Sequence, residues 1–168
     1  MIPEFILYSD FTSPSCYALE ECLWELRAGD LVVWRGVQRG VHRPIPMDAS
    51  EPPQTEELTH EIDLVRQCWP DLSIAEPRSR PDAGDAIRAM AAFLLIDDVR
   101  AQAFKRASYR AFWRNGLDLS DRRALYTIAE GVGLARTAVE LLDHPHIAAT
   151  VTLWQRQWKH TGIRTLPV

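Results

Sequence analysis

The sequence predicts an α/β fold in which a short strand-helix-strand opening leads into a large all-helical block. Three observations carry this. Glu4-Phe5-Ile6-Leu7-Tyr8 is a short continuous apolar run of the buried-strand type, apolar residues recur at helical spacing from Pro14 to Arg27, and Leu31 to Val37 forms a second apolar run. From Thr55 onward the spacing stays helical for about a hundred residues.

The first strand runs into Tyr8-Ser9-Asp10-Phe11-Thr12-Ser13-Pro14-Ser15-Cys16-Tyr17, which reads as a strand-to-helix turn. Ser13 suits the N-cap, and Pro14 suits the first helical position, where its missing N–H is no loss. Ser15 and Cys16 then fall in the first turn. Free backbone N–H groups and the positive end of the helix dipole favour an anion there, so a thiolate at Cys16 or a ligand sulfur beside Ser13 would be stabilised. Ser-Pro is also common capping grammar, and a single cysteine in a first turn serves equally as a small packing residue.

Asp10 to Tyr17 resembles the active-site turn of the DsbA-like branch of the thioredoxin superfamily, whose redox members carry Asp-Phe-x-Cys-Pro-x-Cys-Tyr. It resembles equally the kappa-class glutathione transferases and hydroxychromene-carboxylate isomerases, which carry Asp-x-x-Ser-Pro-x-Ser. Ser13 matches the second group and Cys16 the first. A dithiol cycle needs an attacking thiolate at the first position, which Ser13 does not supply. Two catalytic roles follow. Either Ser13 donates a hydrogen bond that holds a glutathione thiolate, as the resemblance to the isomerases implies, or Cys16 works as a one-thiol site. The resemblance also sets Phe11, Pro14 and Ser15 against the substrate.

Leu19, Leu23 and Leu26, with Cys22 on the same flank, form the expected buried stripe of the first helix, and Gly29 is its expected stop. A helical connection makes the two strands parallel with a right-handed crossover, placing the turn at the carboxyl end of the first strand, where open α/β sheets bind ligands. Arg35, Gln38, Arg39, His42 and Arg43 follow with no acidic residue among them. They suit the carboxylates of glutathione or of an aromatic acid, or else a surface loop whose arginines pair with later acidic helices. Pro44, Pro46, Pro52 and Pro53 mark an irregular connector.

Helical stripes come next: Leu58, Ile62, Val65 and Trp69; then Ile87, Met90, Ala91, Leu94 and Leu95; then Phe104, Ala107, Ala111 and Phe112. Asn115-Gly116 ends the third, Ser120 is the expected cap of the next helix, and Ile147, Val151, Trp154 and Trp158 form the last stripe. Thr161-Gly162-Ile163-Arg164-Thr165-Leu166-Pro167-Val168 resembles the family's Gly-Val-x-Gly-Val-Pro-Thr segment. The resemblance implies a cis Pro167 facing the active turn and a Leu166 backbone that pairs with an extended peptide such as glutathione; a plain strand-edge proline is the other reading. The expected organisation is a partial thioredoxin-like domain of residues 1–43 and 161–168, carrying a helical insertion domain of residues 55–160. Two strands leave an edge uncovered, so residues beyond Val168 or a partner chain are expected to complete the sheet.

Composition sets the outer limits. With 168 residues, 46% hydrophobic and 25% charged, the chain is long enough for one substantial core. A net charge of −4 and a pI near 5.7 give no reason to expect nucleic acid or an anionic membrane surface. No apolar run reaches membrane-span length, and the start lacks the pattern of a signal peptide. Three cysteines suit a reducing compartment, so a cytoplasmic protein is expected. Cys16 and Cys22 lie about 9 Å apart along one helix, too far for a disulfide, and Cys22 and Cys68 are expected in the core. His144-Pro145-His146 with Asp143 lacks a third ligand, so no metal is expected.

The resulting expectation is a thiol-handling enzyme of the oxidoreductase or isomerase class, with glutathione as co-substrate and a small thiol or aromatic acid as partner. A homodimer is compatible with it. The alternative is a binding protein that keeps the fold without the attacking cysteine, Ser13 being only a helix cap.

Overall fold

The structure, a computed structural model, describes residues 5–39, 45–46, 52–77, 79–80 and 82–168. His42 and Arg43 of the basic cluster lie outside them. Strands β1 (Phe5–Ser9) and β2 (Val32–Gly36) pair in parallel, Phe5 opposite Val32 and Ser9 opposite Gly36. Helix α1 (Pro14–Glu25) makes the crossover between them. Val168 lies antiparallel beside β1, its carbonyl accepting from the Tyr8 N–H at 2.6 Å and its N–H donating to the Tyr8 carbonyl at 3.2 Å. Within the proline-rich connector Ile45–Pro46 (β3) pairs antiparallel with Ser79–Arg80 (β4), a short ladder that the prolines concealed.

The helical block comprises α2 (Pro52–Cys68), α3 (Gly84–Ile96), α4 (Asp98–Asn115), α5 (Arg122–Gly131), α6 (Arg136–Glu140) and α7 (Pro145–His160). Its core is continuous with that of the sheet: Leu7, Tyr8 and Trp34 belong to the same buried cluster as Met90, Phe104, Tyr109 and Trp113. The two expected parts therefore pack as one body. Among the described residues no helix is long and apolar enough to cross a membrane.

Helix ends show where local signals rule and where they do not. Gly116 closes α4 at φ 66°, the left-handed conformation that glycine adopts without a Cβ penalty. Helix α1 ends earlier than the Gly29 signal suggests, because Arg27 takes the left-handed position at φ 54°, and the Ala28 N–H turns back to Leu23. Asp121, rather than Ser120, caps α5 by accepting from the Arg123 N–H, while Ser120 is drawn to Asp118.

The buried face of α1 also departs from expectation. Leu26 is exposed and Leu19 and Leu23 are only half-buried, whereas Glu20 and Glu21 are buried. Helix α4 supplies the reason. Lys105 Nζ lies 3.0 Å from Glu20, and Arg106, Arg110 and Arg114 converge on Glu21 at 3.1, 2.6 and 3.2 Å. Buried carboxylates persist where cations meet them.

Candidate active site at the Ser13 turn

Asp10 shapes the turn. Its Oδ1 accepts from the Thr12 N–H at 2.8 Å and the Thr12 hydroxyl at 2.9 Å, and its Oδ2 accepts from the Arg39 N–H at 3.1 Å. An Asx-type turn of this kind lets a short side chain replace backbone pairing. The Ser13 N–H then donates to the Asp10 carbonyl at 3.1 Å, which holds Ser13 in extended backbone as the N-cap of α1. Ser13 Oγ accepts from the Cys16 N–H at 3.4 Å. That is long for a cap, and the same hydroxyl is set against the Cys16 sulfur, toward which it can donate.

Cys16 departs from the expected thiolate. It is 2% exposed, and its sulfur accepts the Asp10 N–H at 3.4 Å. Burial pushes the thiol up to about 11, against the opposing hydrogen bonds of Ser13, Ser9 and the Asp10 amide. The helix dipole is real, but the aromatic packing that seals this cysteine is not written into the turn. Beside it Tyr109, fully buried, shares a 2.6 Å hydrogen bond with Ser9 Oγ, and burial first and then Cys16 hold its phenol well above the ordinary value.

Phe11 is a second correction. It is fully buried, its ring 5.4 Å from Trp34 and 4.8 Å from Tyr109, and its carbonyl accepts from Trp113 Nε1 at 3.0 Å. It anchors the turn to α4 and forms no substrate wall. Pro14 is buried as the helix opener, and Ser15 is half-buried. At the other end of the chain Leu166 is buried, the Leu166–Pro167 peptide is cis, and Pro167 is half-buried. Because the terminal segment reaches Val168 antiparallel to β1, it arrives from the Asp10 end. Ser13, Ser15 and Pro167 thus gather at one end of the sheet. Ser13 itself is 3% exposed.

A cleft of 910 Å³ adjoins this end, between the tail of β2, α7 and residues 162–164. Gln38 and Gln155 clasp it, Gln155 Oε1 accepting from the Gln38 N–H at 2.9 Å and Gln155 Nε2 donating to the Gln38 carbonyl at 3.0 Å. Arg39 links cleft and turn, since its N–H meets Asp10 while its side chain lines the cleft. Its guanidinium is paired with Glu57 and Glu61 of α2 at 2.8 and 2.6 Å, and Arg35 is tied to Gln157 at 2.6 Å. Pairing with an acidic helix therefore describes Arg39. Arg156, Lys159 and Arg164 also line the cleft and make no ion pair among the described residues. Sequence reasoning passed over them, although from Arg156 to Arg164 no acidic residue intervenes. The role of Asp10 was also missed; Asp-x-Thr is its local signal.

The other cysteines differ from expectation: Cys22 is half-buried, and Cys68, the last residue of α2, is exposed. His144 Nδ1 accepts the His146 N–H at 3.2 Å and so caps α7. Among the described residues no cluster of metal-ligating side chains occurs.

The model of the DSBA-like thioredoxin domain matches residues 4–168. The chain belongs to this family. No curated protein sequence matches it significantly. Among solved structures it is similar to the cytosolic disulfide reductase DsbM from Pseudomonas aeruginosa, at 15% identity and TM-score 0.72 over 96% of this chain and 82% of that one. It is also similar to a 2-hydroxychromene-2-carboxylate isomerase, at 17% identity and TM-score 0.71 over 96% and 82%. A third is a protein described as a disulfide isomerase from Nitrosomonas europaea, at 14% identity and TM-score 0.74 over 96% and 81%. At these identities the likeness shows a thioredoxin-like DsbA fold, one that oxidoreductases and an isomerase share.

Proposed function

We propose that this member of the DSBA-like thioredoxin family binds glutathione and uses Ser13 to hold its thiolate, in a reaction of the isomerase or transferase type. One observation carries the reading. Ser13 sits at the N-cap of α1, its hydroxyl held there only by a long 3.4 Å bond from the Cys16 N–H, while the thiol three residues on is buried and pushed up to about 11. The turn therefore offers a hydrogen-bond donor and a helix N-terminus to a ligand sulfur, and no working thiol of its own.

Two further features support it. The adjoining cleft carries Arg156, Lys159 and Arg164, which suit a small molecule bearing carboxylates, as glutathione and aromatic acids do. DsbM has also been solved with GSH, at TM-score 0.70 and 15% identity over 96% of this chain and 83% of that one. The 3% exposure of Ser13 favours a second reading, a binding protein in which Ser13 only caps the helix.

Calorimetry with reduced glutathione separates the two. Binding by the wild type and by Cys16→Ala, with loss of about tenfold or more in Ser13→Ala, supports the proposal; that loss corresponds to a hydrogen bond to a charged group. Equal binding by all three proteins rejects the role of Ser13, and absence of binding supports the helix-cap reading.

A further inference from the structure

A cavity bordered by two cysteines lies against α1, outside the Ser13 turn. Its volume is 330 Å³. One wall is the α1 face that carries Ala18, Glu21, Cys22 and Glu25, which recur at helical spacing. The other is the end of α2 and its following turn, beginning at Cys68. Two elements far apart in sequence thus each present a cysteine to one cavity open to solvent. Both are free thiols; Cys68 is exposed and Cys22 half-buried. Arg114, which also borders the cavity, is held by Glu21 and by the Tyr17 hydroxyl at 2.6 Å, so this side of α1 is fixed in place.

We propose that Cys22 and Cys68 are a reversible thiol-disulfide pair that reacts with small disulfides such as oxidised glutathione. Cys68, accessible from solvent, is the entry point. Its thiolate attacks one sulfur of the disulfide, forming the Cys68–glutathione mixed disulfide and expelling one glutathione thiolate. Cys22 then loses its proton to solvent and attacks the Cys68 sulfur, forming the Cys22–Cys68 bond and expelling the second glutathione. The protein loses two thiol hydrogens and two electrons, and the oxidised glutathione becomes two molecules of the reduced form. The product ties α1 to α2, the helix whose Glu57 and Glu61 hold Arg39 beside the Asp10 turn. This pair is independent of the role proposed for Ser13.

The test is incubation of the whole protein with oxidised glutathione, followed by peptide mapping by mass spectrometry and a melting curve. The wild type is expected to give an internal Cys22–Cys68 bridge and a higher Tm, both reversed by dithiothreitol. Cys22→Ser is expected to accumulate one glutathionyl group on Cys68. A wild type that stops at the mixed disulfide, bridges two chains instead, or leaves Cys68 unmodified would overturn the proposal.

Discussion

Cys16 lies in the first turn of α1, where the dipole favours a thiolate by up to about 2 kcal/mol, yet burial raises its pKa from 9.0 to about 11, a change worth about 3 kcal/mol. The larger effect wins, and the group stays a thiol. In the native protein iodoacetamide at neutral pH is expected to label Cys68 and leave Cys16 untouched until denaturant is added; rapid native labelling of Cys16 would contradict this. Glu21 runs the other way. Burial would push its carboxyl up, but the guanidiniums of Arg110 and Arg106 hold it down at about 2. A carboxylate depressed on folding stabilises the native state above its unfolded value, near 4.5, and that contribution fades as pH falls through about 2. Glu21→Gln is therefore expected to cost about 3 kcal/mol at neutral pH in urea unfolding, with the gap from wild type closing between pH 4.5 and 2. A gap independent of pH would show that packing, not charge, is at stake.

Between elements, α1 meets α4 through ion pairs as well as through stacked rings, Tyr17 lying 6.4 Å from Tyr109 and 6.3 Å from Trp113. Glu20 and Lys105 form a pair in which both side chains are buried, and Arg106 stacks 4.0 Å over the Trp24 ring. Burial still raises the Glu20 carboxyl, the attraction of Lys105 notwithstanding. Lys105→Met leaves that carboxylate unpaired and is expected to lower stability by about 3–5 kcal/mol in urea unfolding, whereas Lys105→Met with Glu20→Leu is expected to recover most of the loss. Additive losses in the double variant would show that the two side chains do not act as a pair. This contact explains the misreading of α1. Its apolar spacing pointed to Leu19, Leu23 and Leu26, but the partners that bury Glu20 and Glu21 lie on a helix more than eighty residues later, beyond any local pattern. Local signals were legible where one residue suffices, as with Gly116, and failed where neighbours compete, as with Ser120 against Asp121 or Arg27 against Gly29.

Across the whole molecule, the strand-helix-strand opening and the long helical block could be read directly from hydrophobic spacing, since each element carries its own period. The Ser13 turn was legible as a helix start for the same reason. Its closure was not. Phe11, Tyr109 and Trp113 meet only when α4 folds across the turn, and this meeting seals Cys16 and makes Phe11 a core residue. The cations of the cleft were equally hidden, because Arg156 and Lys159 on α7 face Arg39 only in the folded chain. What the fold leaves at the turn is a hydroxyl at a helix N-terminus, the group proposed to hold a glutathione thiolate.

The most direct measurement is a pH titration of glutathione bound to the protein, following thiolate absorbance in the ultraviolet, for the wild type and Ser13→Ala. A hydrogen bond to the charged form and the helix N-terminus together predict a thiol that ionises about one to two pH units below the free value of about 8.5. Ser13→Ala is expected to return most of that difference without altering the Tm by more than the loss of a weak cap. Bound glutathione that ionises at its free value in the wild type, or that ionises alike in the two proteins, would rule out a Ser13 hydrogen bond to the thiolate.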